Sequence, residues 1–261
     1  MLEIVTVGEA LIDLTQTGED AAHVRCYAAF PGGAPANVAV AAARLGARTG
    51  FIGKVGRDAF GASIRQTLSD NGVDTAGLYE TDQALTTLAV VSVDAAGERS
   101  FAFYRTPGAD TQLTAEEAVG ALEAYGERPV FLHFGSVSLT SEPARSATLE
   151  VARAARERGV FLSYDPNYRA SLWGGRETAV EQMKRSLALC HVLKLAEEEL
   201  ELLTGTQDPE GGSLALYESY GIPLIVVTMG EAGSFYRLGE RTGRVAARAV
   251  QVADTNGAGD T

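Results

Sequence analysis

The chain has 261 residues, 46% of them hydrophobic and 21% charged, with 34 acidic against 22 basic side chains and a formal net charge of −12. That length suits one large domain or two small ones, and the composition is that of an ordinary folded protein. A pI near 4.8 argues against nucleic acid and anionic membrane as partners, because both repel an acidic surface, and no apolar run is long enough to span a bilayer.

Cys26 and Cys190 lack metal-ligand spacing and read as buried free thiols, which points to a reducing compartment. His23, His133 and His191 form no metal or triad pattern. Met1 to Gly8 runs straight into a strand pattern without a basic leader, so the reading is cytoplasmic. The only lysines are Lys54, Lys184 and Lys194.

In chain order, Leu2 to Gly8 reads as a buried strand ended by glycine. Asp13 follows among apolar neighbours, just past a strand end, where open α/β sheets bind ligands. A turn-capping role suits it equally. Phe30 to Asn37 is a Gly/Pro-rich loop feeding a helix, with Val38, Ala41, Ala42 and Leu45 as its expected inner face and Gly46 as its stop. Gly32 and Gly33 let a ligand approach the main chain. Asn37 offers a donor and an acceptor to a hydroxyl-rich ligand, or simply caps the helix.

Thr49 to Val55 reads as the second strand and Gly53 to Asp58 as the loop after it, with Asp58 capping a helix that carries Phe60, Ile64 and Leu68. This β-α-β-α order predicts a parallel sheet. Leu85 to Val93 and Arg99 to Arg105 then read as an antiparallel hairpin, an excursion of the kind that covers a site. It ends in Tyr104-Arg105, suited to a sugar hydroxyl, to an acid, or to plain solvent.

The parallel pattern returns at Val130 to Phe134. A helix capped by Ser141 and a strand over Val160 to Tyr164 follow. Asp165, Asn167 and Arg169 alternate after that strand and share one side if the segment is extended. His191 to Leu195 is the next strand, and Glu197, Glu198 and Glu199 open a helix whose dipole they complement. Glu199 can instead reach a water of bound Mg²⁺. Ile222 to Thr228 leads to Gly230 and Gly233, where a ligand can lie on the backbone.

The β-like run Val245 to Val252 leads to Asp254-Thr255-Asn256-Gly257-Ala258-Gly259-Asp260. Bare N–H groups at the start of a helix make a nest for an anion, most often phosphate. Asp260, at its lip, is placed to take a proton from a hydroxyl that attacks that anion. No G-x-x-x-x-G-K-[ST] is present, so phosphate chemistry here is not of the P-loop kind, and no G-x-G-x-x-G follows the first strand.

Together these motifs resemble the ribokinase-like (PfkB) carbohydrate kinases, most closely the bacterial fructokinases. The resemblance rests on Gly8 to Asp13, Gly32 to Asn37, Gly53 to Gly56, Phe103 to Arg105, Asp165 to Arg169 and Asp254 to Asp260, in the family's order along the whole chain. It implies one α/β domain over residues 1–261: a mostly parallel sheet flanked by helices on both faces, with a small β-sheet lid from about 11–30 and 77–106.

The resemblance also implies roles. Asp13, Gly32, Gly33 and Asn37 would hold sugar hydroxyls, with Tyr104, Arg105, Asp165, Asn167 and Arg169 also on the substrate side. Asp260 would be the base, and Gly257, Ala258 and Gly259 the anion hole. Lys194, Thr228, Gly230 and Gly233 line up with ATP. Glu199 matches an element that helps place Mg²⁺, although Ala196 stands where that element usually has a polar residue. Asp254 and Thr255 lie where a K⁺-like ion sits. Family members continue past Asp260 into further helices, so the expectation is a fragment, or an incomplete nucleotide site. The implied reaction is ATP-dependent phosphorylation of fructose to fructose 6-phosphate. The alternatives are 2-keto-3-deoxygluconate kinase and a truncated sugar-binding fragment without catalysis. A homodimer through the lid edge is a further expectation.

Overall fold

A computed structural model describes residues 2–93, 99–126, 129–248 and 259. In chain order its elements begin with β1 (Ile4–Val7), β2 (Leu11–Glu19), β3 (Arg25–Gly32), α1 (Ala34–Arg44), β4 (Thr49–Gly56), α2 (Ala59–Asp70) and β5 (Leu78–Thr81). Next come β6 (Leu88–Val93), β7 (Arg99–Tyr104), α3 (Ala115–Ala124), β8 (Phe131–Gly135), α4 (Ala144–Glu157), β9 (Phe161–Asp165) and α5 (Arg176–Leu187). The last are β10 (Val192–Ala196), α6 (Glu197–Thr204), α7 (Pro209–Tyr220), β11 (Leu224–Thr228), β12 (Ser234–Leu238) and β13 (Arg241–Val245).

Local chemistry explains where the helices start and stop. The Asp58 carboxylate accepts the N–H groups of Phe60 and Gly61, at 3.0 and 2.8 Å, and so starts α2. Thr114 and Glu117 form a reciprocal capping box at α3. Gly205 and Gly221 end α6 and α7 in the left-handed conformation that glycine adopts at least cost.

Nine strands form the main sheet in the order β13-β12-β11-β10-β9-β8-β1-β4-β5. From β5 through β11 every neighbour is parallel, and β12 and β13 are antiparallel. The chain runs from β1 out to β5, then returns past β1 to β8. Strand order therefore reverses between β1 and β8, and the crevice at their carboxyl ends is where such sheets take ligands. The second sheet, β3-β2-β6-β7, is the lid. Only three residues separate β1 from β2, so the lid stands on that crevice.

Side chains alternate across the main sheet. Val7, Phe134, Tyr164, Leu195 and Val227 point into the large core beneath α3 to α7. On the other face, Phe51 and Val55 pack with Ala36, Ala39, Ile64 and Leu68 of α1 and α2. Helices thus lie on both faces, but unequally. Along β9 to β12 that second face carries Ser163, Asp165, Lys194 and Thr228, with Phe161, Tyr236 and Leu238 exposed. Among the described residues no helix covers this half.

Several expectations need correction. Gly53 to Gly56 is not a loop but the end of β4, buried throughout, and Lys54 turns under α3 to pair with Glu117 at 2.6 Å. Helix α1 buries Pro35, Ala36 and Ala39 instead of the predicted stripe, and Leu45 is exposed. An alanine-rich helix has no large side chains to mark its inner face. Asn37 cannot be the cap, because Gly33 holds that position. Ser141 does not cap α4, which starts three residues later behind Pro143. Residues 78–81 belong to the main sheet as β5, not to the lid. The run from Val245 leaves the sheet at once: β13 ends there and residues 246–248 form no strand. Both thiols are free, but Cys26 is exposed on the lid while Cys190 is buried. No helix among the described residues is long and apolar enough to cross a membrane.

Candidate active site

One wall of the crevice is built where β1 hands the chain to the lid. Asp13 is the third residue of β2, opposite Phe30 of β3 and Ala89 of β6, so it shares their side of the lid. It leans over Gly32, where a Cβ would collide with Asp13 Oδ2. Gly33 caps α1 at φ 105°, and a Cβ there would stand 2.5 Å from the Glu9 carbonyl oxygen. Glycine is needed at both positions, by crowding at one and by crowding and backbone sign at the other. Asn37 lies one helical turn on, donating its N–H to Gly33 O at 2.9 Å. Asp13, Gly32, Gly33 and Asn37 thus form one surface.

Tyr104 does not join it. Phe103 pairs with Ala89 and Tyr104 with Leu88, so alternation puts Phe103 on the side of Asp13 and Tyr104 on the opposite side with Ile12 and Leu88, at the sheet edge and exposed. Arg105 turns inward, its side chain 6% exposed and paired with the fully enclosed Asp110 at 2.6 Å. It also donates to Thr140 Oγ1 at 2.7 Å and to Val137 O at 3.1 Å. Thr87 donates to the other oxygen of Asp110. This buried pair ties the root of the lid to the loop after β8. Beside it opens a cleft of about 370 Å³ lined by Arg105, Thr106, Thr140, Ser141, Ser171 and Leu172, with Ala102 and Phe103.

At the end of β9, Asp165 is buried. Its Oδ1 accepts the N–H of Asn167 at 3.1 Å, and its Oδ2 accepts Lys194 Nζ at 2.8 Å. Asn167 has φ 44°, so the segment bends and Asp165, Asn167 and Arg169 do not share a side as an extended run would. Arg169 is exposed and donates to Tyr168 O at 3.2 Å. Glu199 braces this turn from α6: Oε1 accepts Tyr168 N–H at 2.6 Å and Oε2 accepts Ala196 N–H at 2.8 Å.

Lys194 stands on the same sheet face as His133. Burial first, and the lysine charge second, push the His133 imidazole down to about 4, so it is neutral and shares a 3.0 Å hydrogen bond with Ser163 Oγ. Gly259 is the described residue of the closing motif. A Cβ on it would stand 3.4 Å from Lys194 Nζ, which places that glycine beside the lysine charge. Asp254, Thr255, Gly257, Ala258 and Asp260 lie outside the described residues.

Thr228 ends β11, its hydroxyl 3.5 Å from Leu195 O. Gly230 has φ 52° and Gly233 φ 91°, and a Cβ on Gly233 would collide with Val245 O. Among the described residues no three His, Cys, Asp or Glu side chains stand close enough to cage a metal ion. The described residues therefore do not supply a direct Mg²⁺ cage.

Two buried acids beside the crevice went unrecognised in the sequence, Glu9 and Asp110. Glu9 is 3% exposed, and burial outweighs its hydrogen bonds to push its carboxyl up to about 7. Its signal was a lone acid in the apolar run Gly8 to Ile12.

The pfkB family carbohydrate kinase model matches residues 1–261. Fructokinase-1 of Zea mays is 42% identical over 259 residues, covering 98% of this chain and 79% of the maize protein. A double-mutant fructokinase from Vibrio cholerae O395, solved with fructose, ADP and a potassium ion, superposes with a TM-score of 0.86 at 38% identity, covering 99% of this chain and 80% of that one. An ATP-bound fructokinase from Xylella fastidiosa gives a TM-score of 0.87 at 33% identity, over 100% of this chain and 79% of that one. With the sheet order, the lid on the β1–β8 crevice and these matches in hand, the chain belongs to the pfkB family of carbohydrate kinases.

Proposed function

We propose that the protein is a fructokinase that transfers the γ-phosphoryl group of ATP to a hydroxyl of fructose, giving fructose 6-phosphate. The observation that supports this is that two sets of residues line one rim of the main sheet. The Asp13, Gly32, Gly33 and Asn37 surface lies at β1, and Asp165 holds Lys194 beside Gly259 at β9 and β10. The first half suits a polyol: a carboxylate and an amide for hydroxyls, and glycines for close approach. The second half sets the Asp165–Lys194 ion pair, with the lysine head partly exposed, next to the proposed anion nest.

The chemistry asked of these residues is mostly positioning and charge neutralisation. Asp13 and Asn37 orient the sugar. Asp260 accepts the proton of the attacking hydroxyl, and the N–H groups of Gly257, Ala258 and Gly259 hold the transferred phosphoryl group. Lys194, with Thr228, Gly230 and Gly233, faces the nucleotide, and the lid keeps water out. Mg²⁺ would arrive with the phosphates, Glu199 meeting a water of its shell, and K⁺ would sit near Asp254 and Thr255. The magnesium neutralises phosphate charge when bound.

Arg105 favours fructose over a keto-acid. Its guanidinium is already neutralised by Asp110 and so is not offered to a substrate carboxylate. Phe103, Asn167 and Arg169 flank the sugar end. Free thiols at Cys26 and Cys190 suit a cytoplasmic enzyme. The exposed Tyr27, Leu85 and Tyr104 suit pairing of two lids, which sedimentation of the purified protein tests.

Coupled ADP release with fructose and with 2-keto-3-deoxygluconate decides the reaction. Fructose turnover is expected, and a clear preference for the acid overturns the fructose reading. Fructose-dependent thermal stabilisation without ADP release would instead mark a sugar-binding protein. Asp260→Asn should abolish turnover while fructose binding persists, and unchanged turnover removes Asp260 from its role.

A further inference from the structure

One buried acid at the crevice has no part in the scheme above. Glu9 lies between the end of β1 and the start of α1, fully enclosed. Its Oε1 accepts the N–H of Ala34, the first residue of α1, at 3.2 Å. Among the described residues its buried Oε2 has no hydrogen-bond partner. Its carbonyl oxygen is the atom that a Cβ on Gly33 would meet at 2.5 Å. The charged groups that act on it are Arg105 and Asp110, the pair at the root of the lid. Asp110 in turn takes the hydroxyl of Thr87, and Thr87 O accepts the N–H of Ile12, next to Asp13, at 3.0 Å. Glu9 therefore touches the glycine loop directly and faces the anchor of the strand that carries Asp13.

Packing alone does not call for a carboxylate here. Arg105 and Asp110 already neutralise each other, which leaves Glu9 as a second buried acid without an ion-pair partner among the described residues. A buried acid with one idle oxygen costs stability that a well-packed apolar side chain would not. What the side chain does supply is an acceptor oxygen, fixed in place, for the first N–H of α1, one of the helix's unsatisfied donors.

We propose that Glu9 is a positioning residue for the sugar: its side-chain and main-chain oxygens together hold Gly33 and the first turn of α1, and so Gly32 and Asn37, in register with Asp13. This rests on that surface being the fructose site.

The test is steady-state kinetics and fructose calorimetry on the full chain and its Glu9→Ala, Glu9→Gln and Glu9→Asp variants, with circular dichroism confirming the fold. Removing the acceptor in Glu9→Ala should raise the KM for fructose roughly tenfold, the effect of one lost hydrogen bond. The kcat and the KM for ATP should stay within about threefold. Glu9→Gln keeps the acceptor oxygen and should return the fructose KM to near the starting value. A folded Glu9→Ala with unchanged fructose KM overturns the proposal, as does a Glu9→Gln no better than Glu9→Ala. Should Glu9→Ala not fold, Glu9→Asp, whose shorter side chain withdraws the acceptor, must show the raised KM, and an unaltered one overturns the proposal. Should the parent chain turn over no fructose, the kinase reading fails separately. Calorimetry then decides for Glu9, equal fructose affinity in parent and variant counting against it.

Discussion

Replacing Glu9 by glutamine should make the protein more stable at alkaline pH and leave it unchanged in acid. In the folded chain, burial raises the Glu9 carboxyl from 4.5 to about 7, against the opposing pull of its hydrogen bonds and of Arg105. In the unfolded chain the group ionises at its ordinary value. Below that value both states carry the proton and Glu9 contributes no pH dependence. Between about pH 4.5 and 7 the unfolded state has lost the proton and the folded state keeps it, so stability falls as pH rises, and the loss is complete above about pH 7. A difference of about 2.5 in pKa corresponds to about 3 kcal/mol. Glutamine has the same shape, keeps the oxygen that accepts the Ala34 N–H, and does not titrate. The variant should therefore match the parent near pH 4.5 and exceed it by up to about 3 kcal/mol at pH 8, a gain of several degrees in melting temperature for a chain of this size. Urea titrations at the two pH values, followed by circular dichroism, give the difference between variant and parent at each. Because every other acid is common to both proteins, that difference isolates Glu9. A gap that does not change with pH, or a variant that is less stable at pH 8, would refute the reasoning.

The other expectations concern the lid root, the glycine loop and the thiols. Asp110→Ala leaves the Arg105 guanidinium buried and unpaired and should cost about 3–5 kcal/mol in a urea titration, a loss under about 1 kcal/mol contradicting it. Gly33→Ala must fit a side chain at φ 105° against Glu9 O and should raise the fructose KM at least about tenfold, whereas Gly46→Ala, at φ 96° with open space around it, should leave KM unchanged. Cys26 is exposed and should react with a thiol reagent in the native protein. Cys190, buried and with its thiol pushed up to about 12, should react only on unfolding, and mass spectrometry of the labelled protein separates the two sites.

Features that depend on neighbours in the chain were legible beforehand. Apolar runs ended by glycine marked β1 and β8, Asp58 marked the start of α2, and the ordered motifs from Gly8 to Asp165 marked both halves of the crevice. Features that depend on size contrast were not. Helix α1 is mostly alanine, so no stripe distinguished Ala36 and Ala39 from Ala41 and Ala42. Helix α3 escaped notice although Thr114 and Glu117 spell a capping box, since small residues dilute its apolar period as well.

Sequence alone determined an α/β chain with ligand loops at its strand ends, because a bare glycine loop or a strand-end acid is written in adjacent residues, and the order of those motifs carried the resemblance to sugar kinases. The partners of the charged groups were decided only by tertiary structure. Arg105 meets Thr140 and Val137, more than thirty positions away, and is thereby turned from a surface arginine into the buried anchor of the lid. Asp165 meets Lys194 only because β9 and β10 lie side by side, and Glu9 becomes an acid of raised pKa only because α1 closes over it. Desolvation and pairing act through space, and no local pattern of residues encodes which distant atoms will share that space.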